Sequence, residues 1–426
     1  MAIIIIIIII ISQNLESFIH TSAFLIQLNV TDSFTMHFSF LLLFFIILSF
    51  CIFIPSSTSL AVQDPDLIVG QVLKAIDIAR HTSPSCTGSN PIDGCWSCDR
   101  DWNNRRQQLA DCGLGFGKNA IGGKGGPMYV VTNSKDNPWR PEPGTLRYGV
   151  IQDEPLWIVF SQDMVIKLKQ ELIIKSFKTI DGRGARVGIS RGHGISIKHV
   201  SNIIIHGIEI HDCKGDGVSI LSSNNIWIDH CSLSNCTDGL IDVTHGSTAI
   251  TISNNHMFHH DKVMLLGHSD TCTQDTSMQV TVAFNHFGYG LSQRMPRCRH
   301  GYVHVVSNDY RGWQVYAIGG SAAPTIISQG NRFNAPKEKS KKEVARHFGV
   351  PKEEWRTWNW TSGGDLLLNG ARFTASGSAS TQPLGLYGGY ATSIKTLSSS
   401  VATLTRGAGV LDCLPGRHCY PAPTPN

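Results

Sequence analysis

Beyond Gly113 the chain is built from short apolar stretches broken by Gly, Asn, Ser and Asp. Self-comparison aligns six of these stretches, and their starts lie 23, 24, 30, 23 and 23 residues apart, at Ile203, Ile226, Ile250, Val280, Val303 and Ile326. Two positions after each start, five of the six again carry an apolar residue and the last carries Ser328. Apolar residues at alternate positions are typical of β-strands, and a fixed period of this length indicates coils that bury their apolar faces by stacking.

A polar column accompanies the repeat five positions after each start, at Ile208, Cys231, Asn255, Asn285, Asn308 and Asn331. Asparagine tolerates a left-handed backbone, and its side-chain amide bonds to the amides above and below it. We therefore expect an asparagine ladder at one turn of each coil, with Cys231 interrupting it. The single 30-residue step indicates an insertion at residues 268–278, which forms a loop on one face.

These patterns predict an all-β fold, a right-handed parallel β-helix with a short N-terminal helix and peripheral loops. A leucine-rich horseshoe would need a leucine register that the repeat lacks, and a β-sandwich would not keep a 23-residue period. The helix is expected at residues 65–80, where the apolar positions follow a helical spacing after a candidate cap, Asp64. The expected divisions are a signal peptide or anchor, an N-terminal cysteine-containing segment, the catalytic β-helix, and a tail that packs on it and is loose at its end: residues 1–61, 62–113, 114–375 and 376–426.

The N-terminal region is strongly apolar, with nine consecutive isoleucines at residues 3–11 and an almost unbroken apolar run at residues 38–54. The following Ser59-Leu60-Ala61 matches a signal-peptidase site. We therefore expect a secreted, extracellular protein. Contact with a membrane is expected only if the segment is retained as an anchor, for which its length nearly suffices.

Cysteine use agrees with an oxidising compartment, because disulfides persist outside the cytosol. The chain has 12 cysteines, and loss of Cys51 with the signal would leave an odd number, so at least one is unpaired. Cys95 and Cys98 have the spacing of half a zinc site, but no second close pair follows, and a disulfide is the favoured interpretation. Sequons at Asn235 and Asn359 predict a glycoprotein.

The net charge and its distribution limit the kinds of partner that the protein can bind. Lys and Arg exceed Asp and Glu by 36 − 32 = +4, and the basic residues are mostly scattered singly. A nucleic-acid-binding domain concentrates basic residues far more strongly, so no nucleic-acid partner is expected. An acidic polymer is compatible with this mild basicity, since a long β-helix presents a groove along its side. Nothing in the sequence implies a protein partner, and we expect a monomer.

Three carboxylates recur on the repeat in a pattern suited to a metal ion. Asp238 and Asp242 are four residues apart, and Asp216 lies 22 residues before Asp238, about one coil lower. Oxygen ligands at this density suit calcium, which takes six to eight oxygens in proteins. Solvated aspartates in turns are the alternative interpretation of the same spacing.

A cationic group follows these carboxylates, at Lys262, Arg294, Arg297 and Arg299. The last two point to the same side of a strand, and Pro296 ends regular pairing before them. Arginine binds carboxylates through two parallel hydrogen bonds, so an acidic ligand is expected, with a surface charge cluster as the alternative. A zinc hypothesis for the neighbouring histidines is disfavoured, because they lack the helical spacing of zinc-protease motifs: His256, His259, His260 and His268.

Eight motifs resemble those of plant pectate lyases, a family of large secreted β-helix proteins, and they cover about residues 62–415. They are NPIDGCWSC (90–98), LADC (109–112), GFGKNAIGG (115–123), PGTLRYG (143–149), TIDGRG (179–184), WIDH (227–230), VMLLGHSD (263–270) and RMPRCRHG (294–301). The resemblance implies calcium-dependent β-elimination of polygalacturonate, which is de-esterified pectin, in the plant cell wall.

The resemblance also implies a role for each candidate residue. It implies that calcium is held by Asp216, Asp238 and Asp242. It implies that Arg294 and Lys262 are catalytic. Substrate would be bound by Arg297, Arg299 and His268. Arg294 lies at the position of the proposed base. Because arginine normally has a pKa above 12, this role requires neighbours that favour the neutral form, or hydroxide acts while Arg294 orients the substrate.

Two alternatives stay open. The loop before Asp216 is shorter than in the family, and Lys214 stands where the family has the first aspartate of an Asp-Gly-Asp-Gly turn. An ammonium group there removes a carboxylate and adds a repelling charge unless Asp212 replaces it, so a catalytically impaired pectin-binding protein is one alternative. A β-helix polygalacturonase is the other, although inverting hydrolysis requires two carboxyl groups about 6.5–9.5 Å apart.

Overall fold

A computed structural model describes residues 62–82, 90–377 and 391–421, so the expected signal segment and its Ser59-Leu60-Ala61 site lie outside the described residues. The centre of the described chain is a parallel β-helix whose strands form three long sheets, each ordered as in the sequence. The parallel β-helix predicted from the repeat is therefore confirmed. Apolar side chains of all three sheets fill its interior.

The three sheets have ten, eight and nine strands. Sheet 1 contains Met128–Val131, Leu156–Phe160, Lys178–Asp181, Ser201–His206, Asn224–Asp229, Thr248–Ser253, Gln279–Ala283, Tyr302–Val306, Thr325–Gln329 and Trp360–Gly363. Sheet 2 contains Leu172–Ile173, His193–Lys198, Lys214–Leu221, Ile241–Thr244, Met264–Leu266, Arg297–Arg299, Ile318–Ser321 and Ala345–His347. Sheet 3 contains Met164–Ile166, Val187–Ser190, Glu209–His211, Ser232–Ser234, His256–Phe258, His286–Phe287, Asp309–Tyr310, Arg332–Asn334 and Leu366–Leu368.

The remaining elements lie around these sheets. Two short strand pairs join His260–Lys262 to Leu291–Gln293 and Leu411–Asp412 to Tyr420–Pro421. The α-helices are Pro65–Thr82, Pro91–Trp96, Leu146–Val150, Lys352–Trp355 and Ala391–Leu404. The 3-10 helices are Arg106–Cys112, Phe116–Asn119, Thr273–Ser277 and Lys339–Lys341. The helix expected at residues 65–80 is confirmed, and the insertion at residues 268–278 forms a loop between sheet 2 and sheet 1.

The coil register follows the sequence repeat. Ile226 pairs with Ile203 on one side and with Ile250 on the other, and the later starts continue the same row. The asparagine ladder is also present: each backbone N–H in the column donates to the side-chain oxygen of the next coil, from Cys231 to Asn255 and onward to Asn331. Asp365 accepts the last of these bonds, at 2.7 Å.

One detail of the ladder differs from the expectation. The left-handed backbone belongs to the residue before each ladder position, for example Asn254, Phe284 and Ser307. The side chain of each ladder asparagine points inward and bonds to the neighbouring coils, so the sharp turn falls on its predecessor. Phenylalanine at one such position shows that the stacked coils outweigh the steric cost of this conformation, about 1–2 kcal/mol.

The N-terminal segment and the C-terminal tail both meet the β-helix at His230. Its Nε2 lies 2.8 Å from Asp93 Oδ1, and its Nδ1 lies 3.0 Å from the carbonyl oxygen of Gly409. Asp229 lies 4.0 Å away, and the Trp96 ring packs edge-on. The WIDH motif therefore fastens the two ends of the described chain to the coils.

Two disulfides are present among the described residues, Cys95–Cys112 and Cys413–Cys419. Cys98 is also disulfide-bonded, so the zinc interpretation of the cysteine pair was rightly disfavoured. Among residues 62–82, 90–377 and 391–421, no helix is long and apolar enough to cross a membrane.

Candidate active site

Sheet 2 and its flanking turns carry every residue that the sequence analysis assigned to the site. Asp216 and Asp242 lie on neighbouring strands, and Asp238 lies in the turn that precedes the strand of Asp242. Lys262 ends the strand His260–Lys262, and Arg294 follows its partner strand. Arg297 and Arg299 share the outer side of one strand, with Cys298 buried between them. His268 begins the inserted loop. One face of the β-helix thus presents carboxylates followed by cations.

Asp216 and Asp242 approach each other across Gly239. Asp216 Oδ1 accepts the backbone N–H of Gly239 at 2.8 Å. A β-carbon at residue 239 would collide with Asp242 Oδ1 and would lie 3.1 Å from Asp216 Oδ1, so only glycine leaves room for both oxygens. Asp242 Oδ1 is buried and has no hydrogen-bond partner in the described structure. An unpaired buried carboxylate oxygen is costly unless a cation or a proton accompanies it.

The electrostatics of this pair agree with that conclusion. Burial, followed by the charges of Asp216 and Asp238, raises the pKa of Asp242 to about 8, and Arg294 opposes the shift only in part. Burial and the charge of Asp238 likewise raise the pKa of Asp216. Carboxylates that repel one another in this way favour a bound cation.

Asp238 pairs with a lysine instead of joining Asp216 and Asp242. Its Oδ1 accepts a hydrogen bond from Lys262 Nζ at 2.8 Å, in a partly exposed ion pair. Within the described part of the chain, no group of three acidic, histidine or cysteine residues is arranged to hold a metal ion. The structure therefore brings Asp216 and Asp242 together and leaves Asp238 at the edge of the pair.

The short turn before Asp216 does not supply a replacement ligand. Asp212 is exposed and pairs with His211 Nδ1 at 2.8 Å. Lys214 is exposed at the start of its strand, where its backbone N–H donates to the carbonyl of Gly192. Neither residue adds a carboxylate to Asp216 and Asp242 in this arrangement.

Arg294 is held in a strained backbone conformation, with φ at 63°. A non-glycine residue in this region costs roughly 1–2 kcal/mol and occurs where the surrounding structure requires it. Its carbonyl accepts the N–H of Met264 at 2.7 Å, so the turn is tied to the adjacent strand of sheet 2. Nε of Arg294 is buried and without a hydrogen-bond partner, as is Nε of Arg297. Both side chains are half-buried, and each keeps one guanidinium donor that no described residue accepts.

Arg299 has a partner that sequence reasoning missed. Its Nε donates to Asp270 Oδ1 at 2.9 Å, and its Nη1 donates to the carbonyl of Gly267 at 3.1 Å. Ser321 Oγ donates to the same Asp270 oxygen and lies 3.3 Å from Arg297 Nη2. Asp270 belongs to the VMLLGHSD motif, and an acidic residue in the inserted loop beside an arginine cluster was the available signal. This carboxylate connects the two substrate-binding candidates.

His268 contributes less than the arginines. Its side chain is exposed, its ring lies 4.2 Å from that of His245, and its backbone N–H donates to Asp275.

The neighbouring histidines have separate environments. His260 Nε2 contacts the carbonyl of Asp238 at 2.6 Å. Burial, together with the charges of His286 and His259, lowers the pKa of His256 to about 4.

Known proteins resemble this chain over most of its length. The family model described as pectate lyase matches residues 165–410. Probable pectate lyase 22 of Arabidopsis thaliana is 56% identical over 407 residues, which is 89% of this chain and 93% of that protein. The chain belongs to the pectate lyase family. The pectate lyase of Zinnia elegans is 56% identical over 381 residues, covering 84% of this chain and 94% of the relative.

A solved structure agrees with the family. The crystal structure of Jun a 1, the major allergen from cedar pollen, superposes with a TM-score of 0.71 at 46% identity, covering 76% of this chain and 99% of the allergen. As a pectate lyase, the chain is an enzyme, a polysaccharide lyase. The family favours elimination over the polygalacturonase alternative, which would need a pair of carboxyl groups as acid and base.

Proposed function

We propose that this pectate lyase is a secreted enzyme that cleaves (1→4)-α-D-galacturonan by calcium-dependent β-elimination and releases 4,5-unsaturated oligogalacturonides. The observation that carries the proposal is the order of charges on sheet 2. Asp216 and Asp242 form a buried, repelling pair with an unpartnered oxygen, and Arg294 and Arg297 beside them keep unpartnered guanidinium nitrogens. An acidic polymer and a hard cation match these two halves.

The carboxylate set fits calcium. Asp216 and Asp242 would hold the ion, and Asp238 would join them by releasing Lys262. All three residues supply carboxylate oxygens, which calcium prefers as ligands. The remaining coordination positions are left for water and for the substrate carboxylate. When bound, calcium supplies positive charge that stabilises the charge developing on the uronate group.

The protein side chains would carry out the remaining steps. Arg297 and Arg299 bind uronate carboxylates, and Asp270 and Ser321 hold their guanidinium groups in place. Arg294 faces the carbon next to the carboxylate, C5, and takes its proton directly or through hydroxide. The electron pair of the C5–H bond becomes the C4–C5 double bond, and the C4–O bond breaks. The departing sugar oxygen then takes a proton from water, and the hydroxide left behind removes the proton from Arg294 or replaces the hydroxide that was consumed.

Ultraviolet absorbance of the unsaturated product tests this proposal. We expect polygalacturonate digests to gain absorbance with added calcium and to lose that gain with a chelator. Arg294→Ala should lose at least about 100-fold in kcat, the usual contribution of proton transfer. Arg346→Ala removes an exposed arginine from the last strand of the same sheet and should retain activity. Reducing ends without absorbance would indicate a hydrolase, and binding without cleavage would leave a pectin-binding protein.

The secreted location is proposed from the same chain. Two disulfides among the described residues favour an oxidising compartment. Expression with the native N-terminus in plant cells and analysis of the extracellular fluid test it. We expect the protein in that fluid, with an N-terminus near residue 62. Retention in the microsomal membrane fraction would support the anchor alternative instead.

A further inference from the structure

Two buried thiols meet beside the candidate cation site. Cys213 and Cys236 follow the paired strands Glu209–His211 and Ser232–Ser234 of sheet 3, each at the same distance from its strand. The backbone N–H of Thr237 donates to the carbonyl of Cys213 at 2.9 Å, so the register continues through both cysteines. Both side chains are buried among the interior residues of the β-helix.

The backbone spacing suits a covalent bond. Residues in register on neighbouring parallel strands have Cα atoms about 4.8 Å apart, and disulfides occur at roughly 4.4–6.8 Å. The three other described free cysteines do not share this arrangement, and Cys272 lies in the inserted loop just before the helix Thr273–Ser277. Cys231 contacts the backbone carbonyls of Ile205 and Asp229, and Cys298 is buried between two arginines.

We propose that Cys213 and Cys236 form a disulfide that clamps two successive coils next to Asp216 and Asp238. Two S–H bonds break and one S–S bond forms, and the two electrons and two protons pass to a disulfide oxidant such as oxidised glutathione, which becomes two thiols. The disulfides at Cys95–Cys112 and Cys413–Cys419 show a chain suited to such oxidation.

The bonds around this pair explain why a clamp matters there. Gly215 N–H donates to Thr237 Oγ1 at 2.8 Å, and Gly217 N–H donates to the carbonyl of Gly239 at 3.0 Å. Gly239 N–H in turn reaches Asp216. The distance between the carboxylate-bearing turns thus depends on three glycine amides, and glycine is the residue with the greatest backbone freedom. A cross-link next to them limits that freedom.

Peptide mapping tests the bond without reference to enzyme activity. The secreted wild-type protein is denatured without reductant, alkylated, freed of N-glycans and digested with trypsin. Cleavage at Lys198, Lys214 and Lys262 places Cys213 in peptide 199–214, and Cys231 and Cys236 together in peptide 215–262. We expect the two peptides linked, with one alkylated cysteine. Two separate, fully alkylated peptides would overturn the proposal.

Two variants identify the partner cysteine. Cys231→Ser is the matched control, because it removes a buried thiol from the same peptide, and it should leave the link intact. Cys236→Ser should abolish the link, and it preserves the Asn-X-Thr sequon at Asn235. If that variant folds poorly, Cys213→Ser serves the same purpose. A link that survives Cys236→Ser but not Cys231→Ser would refute the assignment.

Amide hydrogen exchange tests the clamp. In the wild type, reduction should speed exchange at Gly215, Gly217 and Gly239 by at least about tenfold, because opening of the turns becomes easier. Cys236→Ser should exchange at that faster rate with or without reductant. Unchanged exchange on reduction would show a bond that does not restrain the turns. Because these readouts involve no substrate, they stand apart from the proposed function.

Discussion

A pH titration of stability can test the charge state of His230. Its Nδ1 faces the carbonyl oxygen of Gly409, which only accepts, and its Nε2 faces Asp93. Both oxygens of Asp93 also receive amide N–H bonds, from Asn90 and Asn254, so this group acts as a carboxylate. Both ring nitrogens of His230 therefore donate, which requires the imidazolium form.

The size of the effect follows from the pKa. Burial alone lowers the pKa of His230, but the charges of Asp93 and Asp229 outweigh it and raise the pKa from 6.5 to about 9. A pKa raised on folding contributes stability that is complete below pH 6.5 and lost as the pH rises through 9. The shift corresponds to about 3 kcal/mol, at 1.36 kcal/mol for each pKa unit.

Urea unfolding of wild type and His230→Gln between pH 6 and 10 measures this contribution. We expect the difference in unfolding free energy between the two proteins to shrink by about 3 kcal/mol across that range. His304→Gln is the matched control, because His304 is buried beside Gln329 with a pKa lowered to about 4. Its difference should change by less than about 1 kcal/mol below pH 8, in the opposite sense, and stay constant above pH 8. A His230 difference that is equally constant would refute the imidazolium assignment.

Three further predictions concern the ladder and the site. Asn308→Ala should lower the unfolding free energy by about 3–4 kcal/mol in urea, because it leaves buried amides unpaired, whereas half-buried Asn334→Ala should cost under about 1 kcal/mol. Asp270→Asn should raise the KM for polygalacturonate roughly threefold to tenfold with kcat within about twofold, since Arg299 loses its orientation; unchanged KM would contradict this. Lys214→Asp should tighten calcium binding about tenfold in calorimetry, by replacing a repelling charge; unchanged binding would show that Lys214 lies too far from the ion.

Periodicity was sufficient to predict the coils. The starts at Ile203 and Ile226 pair in the register that their 23-residue spacing requires, because a one-residue slip would turn every apolar side chain outward. The same arithmetic put Asp216 about one coil before Asp238, and the backbone N–H of Asp238 donates to the carbonyl of Gly215, the neighbour of Asp216. The motifs located the arginines, since Arg297 and Arg299 must share a face on any strand.

Side-chain partners set by turns and loops were not predictable in this way. The contact of Asp238 with Lys262 depends on the conformation of a turn, and Asp270 reaches Arg299 only because the inserted loop folds back. His230 meets Asp93, 137 residues away, through a segment outside the repeat. A sequence repeat predicts only the features that recur from coil to coil, whereas each of these contacts occurs once.

The end of the asparagine ladder has a consequence for association between molecules. Asp365 receives both nitrogens of Asn331 on one oxygen and the hydroxyls of Ser328 and Ser362 on the other. A carboxylate has no hydrogen to donate. The row of side-chain hydrogen bonds therefore runs in one direction and ends at Asp365. A second copy of the protein stacked on that end would find no side-chain donor at Asp365. This disfavours end-to-end growth into fibres.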